Sequence, residues 1–142
     1  MSIMIGMFVG TTGYGFVRAG NTIIIVKIGF VVILIGLILR WWAILSLRKY
    51  FTVNVSIQNT HQLVIQGIYK YIRHPSYAGS LLSFLGLGIT FSNWIVTIII
   101  FFPILFAFLW RIRIEEDVLR KYFGEAYSQY CKDTSRLIPK IY

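Results

Sequence analysis

The chain has 142 residues, of which 57% are apolar, 17% aromatic and only 13% charged. Soluble domains carry about 25% charged residues, so this composition excludes an ordinary soluble enzyme and points to a bilayer protein built as one compact unit. The formal net charge of +9 does not indicate nucleic acid, because the bases flank apolar runs as the positive-inside rule requires, and no nucleic-acid partner is expected.

Residues 1–17 are apolar but short and glycine-rich (Gly6, Gly10, Gly13, Gly15). A cleaved signal peptide needs an early basic residue and a small-residue cleavage site, neither of which is clear, so a marginal first membrane helix is expected. Arg18-Ala-Gly-Asn21 reads as a turn. Thr22–Leu47 is long enough to cross a core that needs about 20 residues. Lys27 lies near one end of it, where its stem can snorkel to the headgroups, and Gly29 and Gly36 allow close helix contact. Arg40-Trp41-Trp42 is suited to the membrane interface.

The stretch Phe51–Gly79 is polar and holds both histidines, His61 and His74, together with Pro75. After it, Ser80–Phe91 and the Trp-bounded run Trp94–Trp110 predict a helical hairpin, with Ser92 as N-cap of the second arm and Pro103 as a kink. A hairpin returns to the side it left, so the polar stretch and the tail Arg111–Tyr142 share one membrane face, which their bases make cytoplasmic. In the tail, Ile114, Val118, Leu119, Tyr122 and Phe123 recur near helical spacing. Gly124 is a natural C-cap, and Tyr127 and Tyr130 begin a further short helix. The expected fold is therefore all-α and polytopic, with about four transmembrane helices, a C-terminal hairpin and a cytoplasmic cofactor site. One domain spans residues 1–142: N-terminal membrane helices (1–47), cofactor segment (48–78), hairpin (79–111) and C-terminal helices (112–142).

All five acidic residues (Glu115, Glu116, Asp117, Glu125, Asp133) follow the last apolar run. The lone Cys131 excludes an internal disulfide framework, and with two histidines it makes no metal site. No GxGxxG, P-loop or HExxH occurs. What can carry chemistry is Arg73-His74-Pro75-Ser76-Tyr77 opposite Arg111-Ile-Arg113-Ile-Glu115-Glu116. Pro75 suits the first turn of a helix and pushes His74 into extended backbone. His74, Ser76 and Tyr77 are thereby presented at a helix N-terminus, where amides favour a carboxylate. Arg111 and Glu115 share a helix face at i,i+4, with Arg first, the weaker order for helix support. The same groups would also make a plain charged collar at the membrane interface.

The pattern His61-x-Leu63-Val64-x-x-Gly67-x-Tyr69-x-x-x-Arg73-His74-Pro75-Ser76-Tyr77-x-Gly79 resembles the signature of the isoprenylcysteine carboxyl methyltransferase family. The tail resembles it too: Glu115-Glu116-x-x-Leu119-x-x-x-Phe123-Gly124-x-x-Tyr127-x-x-Tyr130, then Arg136-Leu137-Ile138-Pro139. The likeness runs in order from Lys49 to the end of the sequence; much of the N-terminal membrane portion of larger eukaryotic members has no counterpart here. It implies an integral-membrane transferase that uses S-adenosylmethionine, with S-adenosylhomocysteine as product, on a lipophilic or prenylated acid entering from the membrane lipids. The implied cofactor contacts are Gln58, His61, Gln62, Leu63, Val64, Tyr69, His74, Pro75, Ser76, Tyr77 and Glu115. The implied substrate contact, and catalytic residue, is Arg111.

Such a cofactor carries a sulfonium, an ammonium and a carboxylate, so its site needs both signs of charge. Glu115 suits the ammonium, the amides around His74–Tyr77 suit the carboxylate, and Tyr69 and Tyr77 offer rings for adenine or sulfonium. Tyr71 is expected to pack in the core or at the interface. Three alternatives remain at this stage. The first is N-methylation of a phospholipid amine. The second is a membrane reductase binding NADPH, with Arg73 and Lys70 on its 2′-phosphate. The third is a scaffold without catalysis.

Overall fold

The computed structural model describes residues 1–11, 15, 22–47, 63 and 65–139. Among the described residues the helices are α1 (Ser2–Thr11), α2 (Thr22–Leu47), α3 (Pro75–Thr90), α4 (Trp94–Phe123) and α5 (Glu125–Asp133), with a 3-10 turn at Gly67–Lys70. Among the described residues there is no strand, only an isolated parallel bridge between Ile72 and Ser135. The all-helical expectation holds.

Among the described residues two helices, α2 with 26 residues and α4 with 30, are long and apolar enough to cross a membrane. At 1.5 Å per residue they run about 39 and 45 Å against a core of about 30 Å. With 10 residues in α1 and 16 in α3, the other two expected spans fall short of that length. The expectation of about four spans is met only in part. A second difference concerns the tail, where no break separates Trp110 from the helix that follows. Arg111–Arg120 offers no glycine or proline, so α4 continues until Gly124 ends it with φ 56° and an amide on the Arg120 carbonyl at 2.9 Å.

The residues fall into two compact units, 1–38 with 79–108 and 39–78 with 109–142. In the first, α2 meets α3 through glycine. A Cβ on Gly36 would lie 2.6 Å from the Gly79 carbonyl oxygen and from the Ser83 amide nitrogen, and one on Gly29 would lie 2.8 Å from the Thr90 amide nitrogen. Only hydrogen at these positions lets the two backbones approach this closely. Phe91-Ser92-Asn93 turns the chain from α3 into α4. The predicted N-cap is displaced by one residue: Asn93, not Ser92, accepts the amides of Ile95 (3.0 Å) and Val96 (3.2 Å) through Oδ1. Ser92 instead takes the positive φ of 51° that reverses the chain, so its side chain is not placed to cap.

In the second unit the buried apolar residues are Ala43, Tyr69, Ile72, Ile112, Tyr127 and Leu137. Burial of that kind stabilises by about 1.5–3 kcal/mol for each large side chain. The short α5 exists to deliver Tyr127, 1% exposed, and Tyr130, whose hydroxyl donates to the Tyr69 carbonyl at 2.6 Å. Tyr69 in turn donates to the Ala43 carbonyl at 3.2 Å.

Candidate functional site

The site lies in the second unit and begins with the Arg73-His74-Pro75 step. His74 precedes α3 and its carbonyl accepts the Ala78 amide at 3.1 Å, so Pro75 is the first helical residue, as the sequence predicts. The His74 amide, however, is committed to the Arg136 carbonyl at 3.0 Å, and Pro75 has none. Of the amides expected to form an anion cradle around His74–Tyr77, that of His74 is therefore already engaged by protein.

Tyr77, in the first turn of α3, donates its hydroxyl to Glu115 Oε1. Arg111 Nε donates to the same oxygen from one helical turn away, at 3.3 Å. His74 Nδ1 lies 3.8 Å from the other carboxylate oxygen, and the His74 and Tyr77 rings are 5.9 Å apart. Glu115 therefore carries a carboxylate that is partly exposed (22%) yet held from two sides, while the Arg111 side chain is 46% exposed. Arg111 and Glu115, expected on one helix face, are hydrogen-bonded to one another, and Tyr77 reaches the same carboxylate from α3.

Glu116, which stood in the chemistry-bearing stretch without an implied ligand contact, is the more deeply buried of the two glutamates. Only 2% of its side chain is exposed, and it meets Arg73 Nε at 3.2 Å and Arg136 Nη2 at 2.8 Å. Arg120 Nη2 approaches at 3.9 Å. His74 Nε2 is 3.4 Å from Glu116 Oε1 but outside hydrogen-bond geometry, and it is buried with no other partner among the described residues. Arg73 also donates to the carbonyls of Cys131 (3.0 Å) and Thr134. The alternative that placed Arg73 on a 2′-phosphate is thereby corrected, since its guanidinium is buried among protein acceptors. In the sequence Arg73, Glu116 and Arg136 all belong to the pattern that resembles the family, but nothing local showed that the three would meet.

The remaining expected contacts divide. Pro75 and Ser76 sit in the first turn of α3. Tyr69 is 6% exposed and has its polar atoms engaged by protein, so any ligand would meet its ring alone. Burial, and then the neighbouring Tyr130, raise its ionisation well above the ordinary tyrosine value. Leu63 is half-buried. Gln58, His61, Gln62 and Val64 lie outside the described residues. Tyr71, expected in the core or at the interface, is 63% exposed and so lies outside the core.

The family model for isoprenylcysteine carboxyl methyltransferases matches residues 27–121. Protein-S-isoprenylcysteine O-methyltransferase B of Arabidopsis thaliana is 32% identical over 115 residues, covering 80% of this chain and 58% of its own. The Tribolium castaneum protein-S-isoprenylcysteine O-methyltransferase is 34% identical over 117 residues, covering 81% and 42%. The solved structure of the eukaryotic intramembrane Ras methyltransferase ICMT superposes with a TM-score of 0.83 and 30% identity, over 99% of this chain and 50% of that one. The chain thus spans between two fifths and three fifths of the length of these relatives.

Proposed function

Because this chain belongs to the isoprenylcysteine carboxyl methyltransferase family, we propose that it is an integral-membrane enzyme that transfers a methyl group from S-adenosylmethionine to the carboxylate of an isoprenylcysteine-like lipophilic acid. The observation that carries this reading is the junction of Tyr77, Glu115 and Arg111 on one carboxylate. It joins two segments that are 38 residues apart. A plain charged collar needs no such convergence.

The residues suit the cofactor. A partly exposed carboxylate, already aligned by a phenol and a guanidinium, matches an ammonium or a ribose hydroxyl. The Tyr77 ring can face a sulfonium, and the amides of Ser76 and Tyr77 lie at the positive end of α3. The segment Gln58–Val64 is assigned the rest of the cofactor contacts by its likeness to the family. When bound, S-adenosylmethionine supplies a methyl group on a positively charged sulfur. The acceptor carboxylate, with an ordinary pKa of about 3.5, is ionised at neutral pH and needs no general base. Displacement at that methyl carbon by a carboxylate oxygen, with the carbon–sulfur electron pair left on sulfur, would give a neutral ester and a thioether. No proton moves. Arg111 orients the acceptor, since a planar guanidinium can grip a carboxylate and remains charged throughout. Holding both partners in line supplies much of the rate. The whole chain acts as a single multi-pass domain with this site on the cytoplasmic side, a placement supported by the basic flanks of the apolar helices.

Purified protein in detergent, given radiolabelled S-adenosylmethionine and N-acetyl-S-farnesylcysteine, should form a methyl ester that releases methanol in mild base. Base-stable label on an aminophospholipid would replace this reading with N-methylation, and no transfer to either would remove it.

A further inference from the structure

Resting on that reading, we propose that Ser135–Leu137 is a strap that positions His74 and Tyr77 for the ligand, and that Glu116 and Arg136 are its positioning residues. The strap pairs with the segment before α3 by one rung of parallel bridge. The Ser135 amide donates to Tyr71 at 3.2 Å, and the carbonyls of Ser135 and Arg136 accept the amides of Arg73 (2.8 Å) and His74 (3.0 Å). A single rung with no sheet behind it is marginal on its own. What fixes it is a side-chain clamp. Arg73 and Arg136, one from each paired segment, converge on the carboxylate of Glu116, with Arg136 Nε at 3.0 Å and Arg73 Nε at 3.2 Å. Opposed guanidiniums on one buried carboxylate make a directional joint, since each N–H must aim at an oxygen.

The joint bears directly on the site. The strap holds His74 by its amide, and His74 is the residue from which α3 starts, with Tyr77 in the first turn. The imidazole lies between the two glutamates, 3.4 Å from Glu116 and 3.8 Å from Glu115. Release of the strap frees the His74 amide, turns the imidazole and tilts the start of α3, so that Tyr77 no longer meets Glu115. Glu116 itself is buried among protein groups and acts through them.

Two readouts separate positioning from mere stability. In detergent and without ligand, modification of His74 by diethyl pyrocarbonate, located by peptide mass spectrometry, reports whether the strap holds the ring. In Arg136→Gln, the folded protein should show His74 modified about tenfold faster and S-adenosylhomocysteine bound about tenfold more weakly. Arg136→Lys, which keeps the charge without the fork, should recover part of both. The double variant with Glu116→Gln should bind no worse than the poorer single, because the two residues act as one unit. If Glu116→Gln or Arg136→Gln fails to fold, Arg136→Lys is read in the same way. The proposal is overturned if folded Arg136 variants keep His74 as protected as the native chain, or if His74 becomes reactive while affinity is unchanged. Failure of the native protein to bind S-adenosylhomocysteine counts instead against the methyltransferase reading, and the His74 readout does not depend on it.

Discussion

Glu115 and Glu116 are neighbours in sequence but face different surroundings, because successive residues on a helix point about 100° apart. The side chain of the first is 22% exposed and bonded to Tyr77 and Arg111; that of the second is 2% exposed and bonded to Arg73 and Arg136. In the proposed enzyme the first serves the ligand and the second holds the scaffold.

Arg111→Ala should slow methyl transfer about a hundredfold while changing the affinity for S-adenosylhomocysteine by less than about threefold, because the lost group orients the acceptor. Kinetics and calorimetry on the same preparation check this. Equal losses in both would place Arg111 on the cofactor instead.

Glu115→Gln and Tyr77→Phe each remove part of one hydrogen-bonded group. Losing a bond to a charged partner costs about 1.5–3 kcal/mol, so each variant should bind S-adenosylhomocysteine about tenfold or more weakly. In a titration series the double variant should show strong non-additivity; simple additivity would mean that the two residues serve different ligand groups.

The dependence of rate on pH distinguishes the acceptors. With an acid acceptor the rate should stay flat between about pH 6 and 9, since a carboxylate of pKa about 3.5 is ionised throughout. An amine must first lose a proton, and its rate would climb about tenfold per pH unit below its pKa.

Alkaline stability depends on the tyrosines around the strap. Burial pushes the Tyr130 hydroxyl up to about 12, and burial, then the Glu116 charge, raise Tyr127 further. For an acid whose folded value is raised, the neutral form stabilises the fold below the unfolded value of about 10. That contribution fades as pH climbs through the folded value. A titration of tyrosinate absorbance against helical circular dichroism should therefore show unfolding between about pH 10 and 12. Titration of all nine tyrosines near pH 10 with helix intact would contradict the burial.

Gly36→Ala should destabilise the contact between α2 and α3 by about 1–3 kcal/mol, because the new methyl meets backbone that cannot yield. Gly10→Ala is the control. Its Cβ would lie 3.7 Å from Val96, and alanine favours a helix, so thermal melts should show no loss.

Much of this arrangement was legible in the residues. Pro75 announced the start of α3, Gly29 and Gly36 announced the close contact of α2, and the spacing of Arg111 and Glu115 announced their shared face. These are local signals, set by proline geometry, side-chain volume and helical period. Cooperation across the chain was not legible. Nothing local tells Glu116 from Glu115, since only packing against Arg73 and Arg136 decides which glutamate turns inward. Ser92 and Asn93 are both good caps by type, and the choice fell to Asn93 because Ser92 had to take the left-handed turn. The count of spans was not legible either: α3 is apolar, but it ends after 16 residues at the Phe91–Asn93 turn, and apolar composition alone does not fix such a length.

The most direct measurement is calorimetric titration of S-adenosylhomocysteine and, separately, NADPH into the full chain in detergent. Saturable binding of the first at one site, weakened by Glu115→Gln, with no heat from the second, is the expected result. Binding of NADPH alone, or of neither, would contradict the assignment of Tyr77, Glu115 and Arg111 to a methyl-transfer site.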